Sequence, residues 1–298
     1  MTFKSAFISV IGRPNVGKST LINLITKERV SIVTPKPQTT RKNIKAIYTD
    51  DSVQMVFLDT PGIHEPKTKL GEFMVSSAKS VFQETDIVVF VTAPKRGTII
   101  PPEDEPILEM LKNASLPKVC VINKVDFLSQ EEAATYIEAY SKMVDFEKIL
   151  PTSAKDSLNI DSLKQVIIDL MEEGPLYYDP DQITDQTMRQ MAEDFIREKL
   201  LYLLSEEVPH ALAVEVENFK EREDKKILDI DAVIYCDKES QKGIIIGKDG
   251  SKLKKVGTQA RKAMEGAFDS KVNLKLWVKV KPDWRNDPRM LGSLGYKI

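Results

Sequence analysis

The sequence has 298 residues, of which 42% are hydrophobic and 30% are charged. These fractions are typical of a soluble globular protein, and the length is sufficient for two domains with separate cores. The apolar run at residues 6–12 is too short to cross a membrane, and no small-residue cleavage pattern follows it. We therefore expect neither a membrane span nor a secretory signal.

Charge is distributed unevenly along the chain. The net charge is −2, but residues 241–298 carry 14 Lys and Arg against 5 Asp and Glu, which leaves −11 for residues 1–240. A basic C-terminal fifth indicates a surface for a polyanion, with a solvated lysine-rich face as the alternative. Cys120 and Cys236 lie far apart in apolar runs, which indicates buried thiols in a reducing, cytoplasmic compartment.

Short apolar runs alternate with segments of helical spacing through the first part of the chain. The predicted strands are 6–11, 53–58, 87–92 and 118–123, and the predicted helices lie near 18–26, 70–83, 103–113, 130–142 and 160–172. Continuous apolar strands that alternate with helices predict an α/β fold with a mainly parallel sheet covered on both faces. We assign residues 1–172 to this first domain.

Residues 173–184 combine Gly174 and Pro175 with acidic residues and show little apolar periodicity, which predicts a linker. The order of elements then changes to helix, two strands, two helices and a last strand. In that last strand apolar residues 272–280 alternate with lysines, which predicts one buried face. Residues 185–298 are therefore expected to form a small α+β domain with a C-terminal tail.

The segment Gly12-Arg13-Pro14-Asn15-Val16-Gly17-Lys18-Ser19 follows a predicted strand and opens a predicted helix. This is the pattern and context of a phosphate-binding loop, in which backbone N–H groups and the helix N-terminus surround the phosphates. Lys18 is expected to reach the β- and γ-phosphates, and the Ser19 hydroxyl to ligate Mg²⁺. The nucleotide-contacting residues predicted in this loop are Gly12, Asn15, Val16, Gly17, Lys18, Ser19 and Thr20.

Three further motifs follow at the ends of later strands. Asp59-Thr60-Pro61-Gly62 offers a carboxylate for the Mg²⁺ shell at Asp59 and an N–H for the γ-phosphate at Gly62. Asn123-Lys124-Val125-Asp126 offers a carboxylate at Asp126 that can accept from two guanine N–H groups, a donor pair that adenine lacks. Ser153-Ala154-Lys155 can read the guanine carbonyl through its backbone. Four motifs in this order predict a guanine-nucleotide site at the carboxyl ends of the strands.

With these motifs the sequence resembles the translation-factor-related small GTPases, and within them the Era family. Gln38-Thr39-Thr40-Arg41 resembles the first switch of that family, whose threonine completes the Mg²⁺ shell. Thr40 is the predicted ligand, with Thr39 as the alternative. The resemblance implies a P-loop GTPase domain that binds GTP or GDP with Mg²⁺ and hydrolyses GTP.

Ile63 stands where Ras-like GTPases carry a glutamine that orients water, and the resemblance implies such a hydrophobic substitution. His64 is expected to be a switch residue facing solvent. Asn15 resembles the asparagine with which related GTPases bind K⁺ beside the phosphates. Together with Lys18 and Thr40, it forms the set of predicted catalytic residues. Arg13 and Arg41 are candidates for an arginine finger.

The second domain contains Gly247-Lys248-Asp249-Gly250 after an apolar helix. Gly-x-x-Gly between helices, followed by lysines, resembles the loop of a KH domain, which clamps a nucleic-acid backbone beside an apolar groove. The order of elements resembles the bacterial, type II form. The predicted RNA-binding residues are Ile244, Ile245, Gly247, Lys248, Asp249, Gly250, Lys252, Lys254 and Lys255, although Ile244 and Ile245 are equally suited to the core.

A GTPase domain followed by this KH domain makes the resemblance to the Era family extend over essentially the whole chain. It implies binding to small-subunit ribosomal RNA near its 3′ end, a role in assembly of the small ribosomal subunit, and peripheral contact with the inner face of the membrane. We expect a monomer. The alternatives are a metabolic phosphotransferase with an accessory domain and a membrane-associated signalling GTPase.

Overall fold

The computed structural model describes residues 2–204, 208–222 and 226–296, without the side chain of residue 210. Its strands are β1 (Lys4–Ile11), β2 (Ile44–Thr49), β3 (Val53–Asp59), β4 (Ile87–Thr92), β5 (Lys118–Ile122), β6 (Lys148–Pro151), β7 (Ala213–Glu221), β8 (Ile227–Cys236) and β9 (Lys271–Val280). Its helices are α1 (Lys18–Thr26), α2 (Lys69–Ser80), α3 (Glu105–Lys112), α4 (Gln130–Ser141), α5 (Ile160–Leu170), α6 (Met188–Leu203), α7 (Glu239–Ile246), α8 (Ser251–Phe268) and α9 (Pro288–Ser293).

The chain forms two compact units. The first contains Met1–Ser31, Thr40–Glu65 and Met74–Asp185. The second contains Ile32–Thr39, Pro66–Phe73 and Gln186–Ile298. Two short segments of the N-terminal half, 32–39 and 66–73, thus belong to the second unit. A division of the sequence into consecutive domains does not predict this.

The first unit contains, in its described residues, a six-stranded sheet of order β2-β3-β1-β4-β5-β6. All neighbouring pairs are parallel except β2 and β3. Every residue of β4 is buried, and its side chains alternate between two cores. One core includes α1 and α5, and the other includes α3 and α4. The predicted parallel sheet covered on both faces is confirmed, and the antiparallel edge strand β2 is an addition to it.

The predicted linker at residues 173–184 packs against this first unit. Gly174 N donates to Phe3 O at 3.2 Å, and Ile47 N donates to Ile183 O at 2.9 Å. The buried Gln54 amide accepts from the N–H groups of Tyr177 and Tyr178 at 2.8 and 3.0 Å. These hydrogen bonds hold the segment along the edge of the sheet, so it is an ordered part of the first unit and not a free linker.

The second unit has a sheet of order β7-β8-β9 in the part of the chain described. The pair β7 and β8 is antiparallel, whereas β8 and β9 are parallel. Helices α6 and α8 share one core with this sheet. The small α+β KH fold predicted from the order of elements is confirmed. After β9 the tail continues into α9, and Trp284 is buried with its Nε1 donating to Ala211 O at 2.9 Å.

Both cysteines, Cys120 and Cys236, are buried and unbridged, as expected. Among the residues described, no helix is long and apolar enough to cross a membrane.

Candidate nucleotide site and nucleic-acid groove

The phosphate loop connects β1 to α1 and needs its glycines. Gly17 has φ +104°, and a Cβ there would overlap the amide nitrogen of Asn123. A Cβ on Gly62 would lie 2.7 Å from Pro14 N. Both positions therefore exclude larger residues, because the loop passes close to the base-reading motif and to the Asp59–Gly62 motif.

Lys18 lies at the start of α1 and is buried. Its Nζ donates to Gly12 O at 3.0 Å and to Arg13 O at 3.1 Å. Burial lowers the pKa of Lys18 from 10.5 to about 8, and the nearby Asp59 carboxylate opposes that change. The loop carbonyls thus fix the direction of an ammonium group that has lost most of its hydration.

Ser19, Thr40 and Asp59 are brought together from α1, the first switch and β3. Ser19 Oγ donates to Asp59 Oδ2 at 2.7 Å and lies 3.1 Å from Thr40 Oγ1. Thr40 Oγ1 donates to the same carboxylate oxygen at 3.3 Å. The hydroxyl of Thr39 is instead bonded to Thr34 Oγ1 and Lys36 O, each at 2.7 Å. The geometry therefore favours Thr40 over Thr39 as the switch ligand.

This cluster fits Mg²⁺, which prefers oxygen ligands and is bound by few protein groups beside phosphate oxygens. Asp59 is fully buried, and its Oδ1 accepts no hydrogen bond from the described part of the chain. Burial raises the pKa of Asp59, while the hydrogen bond from Ser19 and the charge of Lys18 oppose the rise. A buried carboxylate oxygen without a donor is costly unless a cation compensates it.

The Asn123–Asp126 motif is bonded to the Gly12–Ser19 loop. Asn123 Nδ2 donates to Val16 O at 2.7 Å, and Lys124 Nζ donates to Asn15 O at 2.6 Å. Asn15 and Lys124 both have positive φ, of 65° and 64°, so each loop turns sharply at the contact. The side chains of Asn123 and Lys124 thereby set the position of the phosphate loop relative to β5.

Asp126 is held at the same edge by the segment after β6. Ser153 Oγ donates to Asp126 Oδ1 at 3.0 Å, and Lys155 Nζ lies 3.8 Å from Asp126 Oδ2. Ala154 N donates to Asn123 Oδ1 at 3.0 Å. The side chain of Asp126 is 11% exposed, so its carboxylate remains accessible at the surface of the site. These contacts orient a carboxylate suited to two adjacent N–H donors.

At the position where Ras-like GTPases carry a glutamine, the side chain is apolar. Ile63 is 9% exposed and belongs to the core around α3, and its N–H donates to Gly12 O at 3.2 Å. His64 Nδ1 lies 2.8 Å from Gly62 O. Ile63 thus joins the second switch to the phosphate loop through its backbone. Thr20 follows Ser19 in the first turn of α1, and its contact with the nucleotide stays a prediction.

In the second unit, the Gly247–Gly250 loop joins α7 to α8. Gly247, Asp249 and Gly250 have φ of 73°, 51° and 74°, conformations that favour glycine and tolerate aspartate. Gly250 has open space where a Cβ would be. Lys248 and Asp249 are exposed, so the loop presents backbone and two charged side chains to solvent.

A groove of about 440 Å³ runs beside this loop between α8 and β9. Its lining residues are Gly250, Leu253, Lys254, Gly257, Thr258, Arg261, Leu274 and Leu276. The lining residues on α8 recur at intervals of three and four, so they share one face of the helix. The same spacing in the sequence would have identified this face as a wall of the groove. The sequence-based set had named only Gly250 and Lys254 among them.

The remaining predicted RNA-binding residues divide into exposed and buried positions. Ile244 is 44% exposed, whereas Ile245 is fully buried in the core of the second unit. For Ile245 the assignment to the groove is wrong and the core alternative holds, because successive residues of α7 point in different directions. Lys252, Lys254 and Lys255 are exposed near the start of α8.

Comparison with known proteins agrees with both domains. Residues 7–124 match the family model described as a 50S ribosome-binding GTPase, and residues 207–285 match the KH domain model. GTPase Era of Clostridium novyi is 53% identical over 295 residues, covering 99% of each chain. The chain belongs to the GTPase Era family. GTPase Era of Clostridioides difficile is 48% identical over 99% of each chain.

Solved Era structures share the whole fold. An Era complex with MgGDPNP and nucleotides 1506–1542 of 16S ribosomal RNA has a TM-score of 0.94 and 37% identity, covering 99% of this chain and 100% of that one. A variant of Aquifex aeolicus Era bound to GDP and AlF4⁻ gives the same TM-score, identity and coverage. This family member is therefore a GTPase with a KH domain.

Proposed function

We propose that this chain binds GTP with Mg²⁺, hydrolyses it to GDP and phosphate, and uses the nucleotide to control its binding to small-subunit ribosomal RNA near the 3′ end. In this role it assists assembly of the small ribosomal subunit. The proposal is supported by the cluster of Ser19, Thr40 and Asp59 beside the Gly12–Ser19 loop and by the groove along α8, both in one Era-family chain. An Era 37% identical to it binds MgGDPNP and 16S ribosomal RNA.

Guanine selectivity is assigned to Asp126. Its carboxylate accepts the N1 and N2 protons of guanine, and adenine would leave it unmatched in a partly buried position. Ala154 and Lys155 lie beside it; because Ala154 N donates to Asn123 Oδ1, the Lys155 N–H is the backbone donor that we assign to the guanine carbonyl. Lys124 Nζ donates to Asn15 O and so links the base-reading motif to the phosphate loop.

Ser19, Thr40 and Asp59 hold Mg²⁺, which neutralises charge on the β- and γ-phosphates when bound. Lys18 donates to the same phosphates, and the Gly62 N–H points toward the γ-phosphate. Asn15 contributes to a K⁺ site beside the phosphate loop. Hydrolysis depends mainly on positioning and charge, because Ile63 cannot orient water through its side chain. Intrinsic turnover is therefore slow.

RNA binds along the groove between α8 and β9. The Gly247–Gly250 loop allows the phosphate backbone to approach, and Leu274 and Leu276 provide an apolar wall for bases. Arg261, Lys254 and the exposed lysines of α8 attract phosphates. The remaining predicted residues, Ile244, Lys248 and Asp249, lie exposed beside the groove's entrance loop.

The protein acts in the cytoplasm as a monomer, with peripheral contact at the inner face of the cell membrane. Residues 1–172 act as the GTPase domain, 173–184 as the connecting segment, and 185–298 as the RNA-binding domain.

Crosslinking and sequencing of bound cellular RNA, with GTP and with GDP, tests the proposal. We expect reads concentrated at the 3′ end of small-subunit ribosomal RNA and dependent on the nucleotide. Equal reads across all RNAs, or no enrichment at that end, would refute it. Product analysis adds a second criterion: release of inorganic phosphate is expected, whereas a phosphorylated acceptor would support a phosphotransferase. Sedimentation with liposomes, with and without RNA, tests the membrane-signalling alternative.

A further inference from the structure

A buried carboxylate outside the four GTPase motifs lies against the Gly12–Ser19 loop. Asp104 immediately precedes α3 and is fully buried. Aspartate at this position commonly caps its own helix, but here, within residues 2–204, its side chain makes no capping hydrogen bond. Its carboxylate is therefore directed to other partners.

Those partners come from β4, α4 and the phosphate loop. Asp104 Oδ2 accepts from Thr92 Oγ1 at 2.6 Å and from Tyr140 OH at 2.8 Å. Asp104 Oδ1 lies 3.2 Å from Arg13 Nε. Burial beside this carboxylate raises the pKa of Tyr140, which keeps its hydroxyl a donor. A buried carboxylate is costly without partners, and these contacts supply two hydrogen bonds and one opposite charge.

Arg13 links this carboxylate to Lys18. The Arg13 guanidinium also donates to Ala93 O, and its side chain is 14% exposed. The carbonyl of the same residue accepts from Lys18 Nζ. One residue of this loop thus has its side chain ion-paired with Asp104, although Arg13 Nε and Asp104 Oδ1 form no well-aligned hydrogen bond, and its backbone carbonyl bonded to Lys18. Arg13 is consequently engaged as a structural cation and is unsuited to the arginine-finger role considered from the sequence.

We propose that Asp104 is a positioning residue for GTP binding and hydrolysis, which holds Arg13 so that the loop carbonyls direct Lys18 to the phosphates. Removing the carboxylate takes away the buried counter-charge of the partly buried Arg13 guanidinium, and the backbone carbonyl of Arg13 accepts from Lys18 Nζ. The loop is then expected to shift, and Lys18 to lose its alignment with the β- and γ-phosphates. The same contacts connect α3 and α4 to the loop through side chains outside the nucleotide motifs.

The inference rests on the proposed GTP binding, and a double-mutant cycle tests it. Asp104→Asn keeps the shape and an acceptor for Thr92 and Tyr140 but removes the charge. We expect GDP and GTP-analogue affinity to fall about tenfold and turnover to fall with it, which corresponds to about 1.4 kcal/mol. Arg13→Gln should have a similar effect. The double variant should be no weaker than either single variant, because the two residues act as one unit.

Tyr140→Phe is the matched control. It removes one hydrogen bond from the same carboxylate but leaves the contact with Arg13, so it should lower thermal stability while nucleotide affinity stays near that of the wild type. Unchanged affinity and turnover in folded Asp104→Asn, or additive losses in the cycle, would overturn the positioning role. If Asp104→Asn does not fold, wild-type affinity in Arg13→Gln would overturn it equally. Failure of the wild-type chain to bind GDP would instead refute the proposed function.

Discussion

Asn123 donates its side-chain N–H to the backbone carbonyl of Val16 at 2.7 Å. This bond joins the motif proposed to read the base to the loop proposed to bind the phosphates. Asn123 also accepts from Ala154 N at 3.0 Å, so one buried amide fixes three loops that follow different strands. The site is thereby shaped by side chain to backbone bonds, which hold the distance between base and phosphate positions constant.

The first prediction concerns base specificity at Asp126. Asp126→Asn should weaken GTP about 10–100-fold, since a charged hydrogen-bond acceptor is lost. It should favour xanthosine triphosphate, because the amide can donate to the xanthine carbonyl. Competition binding measures the preference. Asp156→Asn is the control, since Asp156 also accepts from Ser153 Oγ, at 2.9 Å, and should leave GTP preference unchanged. Full GTP preference in Asp126→Asn would show that another group reads the base.

The second prediction concerns the buried ammonium of Lys18. The pKa of this group is about 8 in the folded protein, against the ordinary lysine value of 10.5 that applies to the unfolded chain. Between these values the unfolded chain binds more protons, so the contribution of Lys18 to folding stability becomes more favourable as pH rises. Lys18→Met removes this titration. Without nucleotide, the variant is expected to be more stable than the wild type at pH 7, because it buries no ammonium group. This difference in the free energy of unfolding should shrink by about 2 kcal/mol from pH 7 to pH 9.5. Denaturant unfolding at each pH measures it, and a constant difference would contradict a depressed pKa.

The third prediction concerns K⁺ and Asn15. At equal ionic strength, GTP hydrolysis should be roughly tenfold faster in KCl than in NaCl, because a specific cation beside the phosphates stabilises developing charge. Asn15→Gly tolerates the local φ of 65° while removing the side chain, and it should make the two rates equal. Equal rates for the wild-type chain would remove the K⁺ site from the proposal.

The fourth prediction concerns the salt dependence of RNA binding. Replacing Lys254 and Lys255 with alanine should reduce the slope of log affinity against log salt by about 0.7 for each lysine that contacts phosphate. The charge-matched control replaces Lys112 and Lys142, which pair with Glu109 and Glu138 in the first unit. That control should keep the wild-type slope. Equal slopes in all three proteins would show that the start of α8 makes no phosphate contacts.

Local patterns in the sequence predicted which side chains the fold brings together at the candidate nucleotide site, because these groups follow directly after buried strands. Asp59 and Asn123 occupy strand ends whose position follows from the parallel sheet. The choice between Thr39 and Thr40 required the structure, since only tertiary contacts place the Thr40 hydroxyl near Asp59. Adjacent residues in an irregular segment carry no periodic signal to separate them.

Other features depend on contacts between distant segments. Arg13 and Asp104 belong to no shared motif, and their contact becomes visible only when α3 is packed beside the phosphate loop. Ile245 could belong to either face of α7 until the packing of the helix was known. Arg261 lies well beyond the Gly-x-x-Gly loop, and only its helical spacing from Leu253 indicates a place in the groove.

The most direct measurement is the RNA affinity of Gly250 variants, using RNA of the small-subunit 3′ end. Gly250→Asp and Gly250→Asn have the same shape, both tolerate a φ of 74°, and both side chains enter open space. Only aspartate adds a negative charge where phosphates approach. We predict that Gly250→Asp loses RNA affinity about tenfold or more relative to Gly250→Asn, with equal thermal stability and unchanged GTP binding. Equal RNA affinity of the two folded variants would contradict the claim that this loop and groove bind RNA.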